Sequence, residues 1–256
     1  MMAYRPLALP FLMTLIGVFL LAGLGKWQLD RREWKLGLIE RIETRVHAKA
    51  VSLPTALEIW QKSRDIDYTR VLIAGHFLHE HERRLYTVLD GQAGWKIITP
   101  LQTASGDIVL VDRGFVPEQL ELPRARKSGQ IETLAEFTGL ARVSQTPNWF
   151  TPANDPAANR WFWRDVPGLI ASLPSDIGSK SVPFIVEAEA GPIPGHWPRA
   201  GVTMLNIPNR HLEYALTWFA LAATLLIVFA AYAKGRLGSD ASGATDANIA
   251  ERGPSV

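Results

Sequence analysis

The sequence predicts a membrane α+β fold, in which two transmembrane helices flank one β-rich, antiparallel extramembrane domain. Residues 7–24 carry no charge, and the second predicted span, residues 212–233, lies almost wholly in a charge-free run from Tyr214 to Ala233. Both runs approach the length that crosses a hydrocarbon core of about 30 Å at about 1.5 Å per helical residue. Between them, short runs of β-branched and aromatic residues alternate with turn signals, which is typical of a small β domain.

The first apolar run, residues 7–24, is predicted to be a transmembrane helix that stays in the protein. The alternative is a cleaved signal peptide, because a short basic segment precedes the run. No small-x-small cleavage site follows it cleanly, and apolar residues continue at helical spacing through Trp27 and Trp34. Residues 25–47 are therefore predicted to form a membrane-proximal helix, and residues 1–6 a short N-terminal segment.

Six short runs are predicted to be the strands of one domain that occupies residues 48–211. Turn signals separate them at Asp90-Gly91, Ser105-Gly106-Asp107 and Lys127-Ser128-Gly129. The spacing favours antiparallel pairing, above all in a hairpin from Trp95 to Val111. The predicted strands are Arg70–Ala74, Leu85–Leu89, Trp95–Thr99, Ile108–Val111, Glu136–Ala141 and Phe184–Ala188.

Helices, loops and a tail account for the rest of the chain. Short helices are predicted at Pro54–Gln61 and Pro167–Ser172. Long structured loops are predicted at residues 146–163 and 189–209, which are rich in proline, asparagine and aromatic residues. The last segment, residues 234–256, is small and polar and is predicted to be a disordered tail.

Composition narrows the possible functions. The formal net charge is +2, and no basic cluster interleaves with aromatic residues, which disfavours binding to nucleic acid. The absence of cysteine excludes disulfides, thiolate metal ligands and cysteine nucleophiles, but it leaves the compartment open. The chain has no G-x-S-x-G, H-E-x-x-H or phosphate-loop motif, so we expect no enzymatic activity.

Two spans place both chain termini on the same side of the membrane, but charge does not decide which side. Basic residues are more frequent on the domain side, which taken alone favours a cytoplasmic domain. That rule is calibrated on short loops, however, and a domain of this length escapes it. The flanking basic residues are Lys26, Arg31, Arg32, Lys35, Arg41, Arg199 and Arg210 on the domain side, and Arg5, Lys234 and Arg236 on the terminal side.

Two polar groups in the domain have both a functional and a structural interpretation. His79 and His81 would share one face of a strand and could begin a metal site, or they lie in a solvated turn. Arg113 could bind an anion such as a propionate, or it pairs with Asp112 and closes the domain onto the membrane-proximal helix. Gly114 allows a bend at this point. The sequence favours the structural interpretation of both groups.

Aromatic and basic clusters also leave two interpretations open. Trp149, Trp161 and Trp163 could line a pocket or a partner surface, although packing over the open end of a sheet explains them more simply. Basic residues gather where both predicted spans leave the membrane, and either lipid headgroups or a ligand carrying carboxylates would attract them. They are Arg31, Arg32, Lys35 and Arg210.

His211, at the start of the second span, is the sharpest candidate for chemistry. Pro208 and Asn209 precede it and suit the entry of a helix. At about 100° per residue, His211, Tyr214 and Trp218 share one face of that helix. The imidazole is either a polar cap with no further role, or an axial ligand to the iron of a porphyrin on whose flat ring Trp218 could stack.

Five motifs follow one another along the chain. They are Gly25-Lys-Trp27-Gln28-Leu-Asp-Arg31-Arg-Glu-Trp34-Lys35, Gly75-His-Phe77, Val111-Asp-Arg113-Gly114-Phe-Val-Pro117, Asn159-Arg-Trp161 and Asn206-x-x-Asn209-Arg-His211-Leu-Glu-Tyr214-Ala-Leu-Thr217-Trp218-Phe219. In this order they resemble the Surfeit locus protein family, the cytochrome oxidase assembly factors also known as Surf or Shy proteins. The resemblance covers residues 7–233. It departs from the family pattern at Asp112 and Phe115, where Asn and Trp are common, which weakens any role placed on those side chains.

The resemblance implies a protein of the bacterial inner membrane, with both termini cytoplasmic and the central domain periplasmic. It implies assistance in building cytochrome c oxidase, with haem a bound and delivered to the catalytic subunit, alongside the haem a biosynthesis machinery and membrane lipid. Carried over by position, His211 would be the iron ligand. The motif residues Trp27, Gln28, Tyr214 and Trp218 would lie at the same site.

Three arginines complete the expected site, since Arg31 or Arg210 would pair with the haem propionates and Arg113 is a further candidate. The isoprenoid tail is expected in lipid between the spans. The alternative function is a cofactor-free membrane scaffold that stabilises an oxidase subunit or an assembly intermediate. His211 and Trp218 beside an accessible groove between the helices would favour haem handling, whereas tightly packed helices with His211 in water would favour the scaffold.

Overall fold

The computed structural model describes the backbone of residues 5–191, 194–201 and 208–251. The described chain divides into two compact units: a helical unit within residues 1–40 and 206–256, and a β unit within residues 41–205. The helices are α1 (Arg5–His47), α2 (Leu53–Ser63), α3 (Val166–Ala171), α4 (Ser175–Gly178) and α5 (His211–Glu251). The strands are β1 (Val51–Ser52), β2 (Arg70–Phe77), β3 (Arg83–Leu89), β4 (Gln92–Thr103), β5 (Ile108–Pro117), β6 (Ala135–Arg142) and β7 (Ser181–Ala188).

Helices α1 and α5 are long and apolar enough to cross a membrane. Their apolar side chains face outward instead of forming a core, and Phe19, for example, is 80% exposed. A continuous apolar surface of this kind is unfavourable in water and matches a hydrocarbon environment. The prediction of two membrane helices flanking a β-rich domain is therefore confirmed, and the chain is a membrane protein.

Small residues allow α1 and α5 to pack closely as an antiparallel pair. The rings of Phe11 and Phe229 lie 5.7 Å apart at one end of the pair. Nearer the other end, Gly25 lies under Phe219, so that a Cβ at Gly25 would be 2.6 Å from the nearest carbon of that ring. Ala215 is fully buried. Close backbone approach at small residues is the usual way in which helices associate in lipid, where hydrophobic burial provides no driving force.

Helix α5 continues as regular backbone to Glu251, whereas the sequence predicted a disordered tail over residues 234–256. The structure differs from that prediction across residues 234–251. Alanine, the strongest helix former, recurs throughout this segment, and its helix propensity opposes the small, polar composition on which the prediction was based. Residues 252–256 lie outside the described residues.

The strands of the β unit form one sheet in the order β1-β2-β6-β7-β5-β4-β3. Strand β2 also pairs with β4, so that β2, β6, β7, β5 and β4 form a closed ring. All six predicted strands are present. Strand β1 was not predicted, because two residues are too few to show a periodic pattern.

Most strand pairs of the sheet are antiparallel, as predicted, and two parallel pairs make the sheet mixed. Strand β5 pairs in parallel with β7, and β1 pairs in parallel with β2, while the other pairs are antiparallel, including the predicted β4–β5 hairpin. A parallel pair depends on a long crossover connection. The residues within a strand do not indicate how it is connected to a distant strand, so the parallel pairing could not be predicted from the sequence.

Strand β5 is the most deeply buried strand, since each of its ten residues is buried. The sequence predicted that it would end at Val111, because charged residues follow. The strand continues because the side chains of Asp112 and Arg113, although buried, have polar partners. Gly114 has φ +110°, and its backbone lies so close to the Arg199 carbonyl that a Cβ could not fit between them. Glycine is therefore required at this bend.

Candidate functional site

The side chain of His211, at the start of α5, contacts Gln28 of α1. His211 Nδ1 lies 2.7 Å from Gln28 Oε1. An amide oxygen can only accept, so the imidazole donates from Nδ1, and in the neutral form of the ring Nε2 carries the lone pair. Within the described residues, the structure shows no other side-chain hydrogen bond of His211. A neutral imidazole whose second nitrogen is held by a neighbouring group is the form that binds metal ions.

Trp218 lies two helical turns beyond His211, on the same face of α5. Its side chain is partly buried, as is that of His211, whereas Tyr214 is 56% exposed. We define Gln28, His211 and Trp218 as the histidine site. It combines one hydrogen-bonded imidazole with one large flat ring on a single helix pair.

An exposed stripe runs along α1 next to Gln28. It consists of Trp27, Arg31 and Trp34, which share one side of the helix at spacings of four and three residues. The Arg31 guanidinium lies 4.0 Å from the centre of the Trp34 ring, within cation–π distance. In an antiparallel pair with the contacts described above, helical geometry places this stripe and Tyr214 on the same side of the pair. Aromatic side chains at this level are typical of the membrane interface.

The basic residues near the histidine site differ in whether they are paired or exposed. Lys35 donates from Nζ to the carbonyl of Pro208, just before α5 begins. Lys26 forms an ion pair with Asp30 on the surface of α1. Arg31 and Arg210 are exposed, so of the predicted propionate partners these two remain accessible.

The close contact between α1 and α5 leaves no open groove at the level of Gly25 and Phe219. The helix pair is therefore tightly packed, as expected for the scaffold, while His211 turns towards the other helix, as expected for haem handling. The expectation that an isoprenoid tail lies between the spans does not fit this packing.

The predicted pair of Asp112 with Arg113 was wrong. Successive residues of a strand point to opposite faces of the sheet. Asp112 accepts a hydrogen bond at 2.8 Å from Lys96 Nζ on one face. Arg113, on the other, donates to the carbonyl of Gly129 and lies 4.7 Å from the centre of the Phe77 ring. Arg113 belongs to the β unit, whereas Gln28, His211 and Trp218 belong to the helical unit.

The histidine cluster lies in a short 3-10 turn, His79–His81, and not on a strand. The Nε2 atom of His79 lies 2.9 Å from the carbonyl oxygen of Ile131. Among the described residues, no group of three histidine, aspartate or glutamate side chains could hold a metal ion. The structure thus favours the turn over the metal site.

The aromatic segment divides into two parts. Trp161 is fully buried beside β3, where its main chain bridges to Leu85. Trp149 is 95% exposed and makes an edge-on contact with Phe150, which is also exposed. Core packing therefore explains Trp161. Trp149 and Phe150 are exposed and could contact a partner protein.

A buried network of charges, which no sequence motif indicates, is centred on Glu187. Its carboxylate accepts hydrogen bonds from Arg142 at 2.8 Å, Arg164 at 3.2 Å and Lys96 at 3.3 Å. Lys96 also binds Asp112. These partners lie on separate elements that are distant in sequence, so no local motif could have revealed them.

The comparison with known proteins assigns the chain to a family. A model of the SURF1 family matches residues 15–223, a range that includes Gln28 and His211. The chain belongs to the SURF1 family. Among its SURF1 relatives, Surfeit locus protein 1 of Xenopus tropicalis is 33% identical over 220 residues, which cover 78% of this chain and 68% of that protein. The Homo sapiens protein of the same name is 33% identical over 238 residues, which cover 84% of this chain and 75% of that protein. A SURF1-like protein of Monosiga brevicollis is 32% identical over 219 residues, which cover 81% of each chain.

Proposed function

We propose that this protein assists the assembly of cytochrome c oxidase by binding haem a at the histidine site and aiding its insertion into the catalytic subunit. The observation that carries the proposal is the hydrogen bond from His211 to Gln28, which leaves Nε2 as a lone-pair donor. Membership of the SURF1 family supports the proposal, because the motifs that contain these two residues are those that carry the resemblance to oxidase assembly factors.

The residues present suit haem a, which would supply an iron centre for axial ligation by a neutral imidazole. His211 would hold the iron through Nε2, and Gln28 would fix the tautomer and orientation of the ring. Trp218 offers a flat apolar surface on the same helix face. The exposed Arg31 and Arg210 would pair with the propionates.

The membrane surroundings match an amphiphilic ligand of this kind. The outward apolar side chains of α1 and α5 face lipid, where an isoprenoid tail is soluble. Trp27 and Tyr214, each 56% exposed, supply amphipathic rings at interface height. In the proposed orientation both termini lie in the cytoplasm and the β unit lies outside it, in the periplasm of a bacterium.

Substitution of His211 tests the proposal. Wild type, His211→Ala and the control His47→Ala would be purified as full chains from cells that make haem a, and bound haem would be measured by absorption. His47 is an exposed histidine at the end of α1, so its loss should leave haem binding unchanged. His211→Ala should lose the haem or change its axial-ligand spectrum. Equal occupancy and equal spectra in all three proteins would remove His211 from the site.

A cofactor-free scaffold for an oxidase subunit is the second candidate function. The exposed pair of Trp149 and Phe150 favours it, because large aromatic side chains of this kind are enriched in protein interfaces. Replacing both by alanine should then reduce co-purification of the catalytic subunit. If the scaffold is the whole function, His211→Ala should leave both oxidase assembly and co-purification unchanged.

A further inference from the structure

A cavity of about 600 Å³ lies in the β unit, between β2, β5, β6 and the chain that follows β7. Its apolar lining includes Phe77, Ile131, Leu134 and Phe137. The rings of Phe77 and Phe137 stack with their centres 6.0 Å apart. A volume of this size is in the range that holds a small organic ligand, and a mostly apolar lining is typical of such sites.

Arg113 lines this cavity, and it is only 3% exposed; it is the cationic side chain among the described lining residues. Its guanidinium donates to the Gly129 carbonyl and lies 3.3 Å from Nδ1 of His79. Within the described residues, no carboxylate lies within ion-pairing distance of it. Of the two glutamates that line the cavity, Glu189 is held by Arg70 at 2.7 Å and Glu136 is exposed.

Two buried arginines, Arg113 and Arg126, lie near one buried carboxylate, Glu82. One positive charge is therefore left without a counter-ion. The buried Glu82 carboxylate forms its ion pair with Arg126. Burial lowers the pKa of His79, so this imidazole is neutral at pH 7. Burial and the neighbouring Arg126 lower the pKa of Arg113 to about 10 against the attraction of Glu82, so the guanidinium is charged at pH 7. A buried charge without a counter-ion is costly, and an anionic partner within hydrogen-bonding distance would stabilise it.

We propose that this cavity binds an amphiphilic monocarboxylate of the fatty-acid class. The carboxylate binds Arg113, and the hydrocarbon chain packs between Phe77 and Phe137 and leaves the cavity past Leu134, which is 61% exposed. A single uncompensated cation favours one negative charge over two, and the apolar lining favours a chain over a compact anion. This site lies wholly in the β unit and does not depend on haem binding at His211.

Octanoate labelled with ¹³C at its carboxyl carbon is the probe. It would be titrated into the full chain in lipid nanodiscs and followed by NMR, with empty nanodiscs subtracted to remove partition into lipid. Arg113→Met removes the charge, and Leu134→Glu places a second carboxylate at the cavity mouth. Leu122→Glu is the matched control, because Leu122 is an exposed leucine of the β unit that does not line the cavity. Octanol tests the need for the carboxylate.

Wild type and Leu122→Glu should bind one octanoate in a saturable manner. Leu134→Glu should weaken the affinity by about tenfold or more, because the introduced carboxylate repels the ligand and competes with it for Arg113, and one hydrogen bond to a charged group is worth about that factor. Arg113→Met should lose binding, and octanol should not compete. If Arg113→Met fails to fold, the octanoate affinity of Leu134→Glu compared with that of Leu122→Glu tests the proposal. A signal equal to that of empty nanodiscs, equal binding by Leu134→Glu and wild type, or competition by octanol would each overturn the proposal.

Discussion

Replacing Gly25 by leucine should separate α1 from α5 at the level of the histidine site. A Cβ at Gly25 would lie 2.6, 2.7 and 3.0 Å from three carbons of the Phe219 ring, whereas carbon atoms prefer about 3.5–4.0 Å. Phe219 is 38% exposed, so its ring has some room to move. The larger leucine side chain nevertheless adds more atoms at the same point, so we expect a cost of about 2–3 kcal/mol, in the upper part of the range for overpacking. That cost is about a 30- to 150-fold change in the pairing equilibrium.

Gly23 provides the matched control, because a Cβ there meets nothing within 4 Å. Both substitutions change helix propensity equally, so their difference isolates the clash. The chain has no cysteine, so a Phe11→Cys, Phe229→Cys pair can report helix pairing by disulfide yield in lipid. Gly25→Leu should lower the yield, Gly23→Leu should not, and Phe219→Ala should restore it. Equal yields for the two leucine variants, or no rescue by Phe219→Ala, would refute the close packing of the helix pair.

Three further predictions concern single polar residues. Gln28→Leu should reduce haem a retention by about 10- to 100-fold while Gln28→Glu retains it, because the side chain orients the imidazole; absorption of the purified proteins measures this. Glu187→Ala should lower the free energy of unfolding by about 3–5 kcal/mol in chemical denaturation, since it leaves Arg142, Arg164 and Lys96 without a central counter-ion. His79 has a lowered pKa in the folded state, so the unfolded chain binds its proton more readily and acidification below about pH 6.5 favours unfolding. His79→Gln should therefore flatten the fall in Tm between about pH 7.5 and 5.5.

Each of these has a contradicting outcome. Haem retention by Gln28→Leu equal to wild type would show that the Gln28 contact does not orient the imidazole. A Glu187→Ala loss below about 1 kcal/mol would mean that solvent reaches the network and replaces the carboxylate. An unchanged pH dependence of Tm in His79→Gln would assign the acid sensitivity of folding to other groups.

The periodic parts of the fold could be predicted from the sequence, and the non-local parts could not. Strand β2 begins with a short run of β-branched and aliphatic residues, which predicts a strand, and in the structure its residues alternate between buried and exposed. Strand β5 was predicted too short, because a charge such as Asp112 signals solvent until its partner Lys96 is known. The parallel pairing of β5 with β7 depends on a connection of more than sixty residues, which no window of sequence reports.

The candidate site shows the same division. The helix face shared by His211 and Trp218 follows from spacing along one helix. The hydrogen bond between His211 and Gln28 joins residues 183 positions apart, and only the resemblance to a family placed both at one site. The lone charge of Arg113 was hidden, because its neighbour Asp112 looked like a partner and alternates to the opposite face of the strand.

The position of β7 in the ring has a consequence for biosynthesis. This strand is the last of the seven to be made, yet it lies between β5 and β6. Until residue 188 emerges, those two strands each present an unpaired edge, and such edges can pair with other chains. A chain released before that residue would lack one strand of the closed ring, so the β unit can close only after the end of β7 has been made.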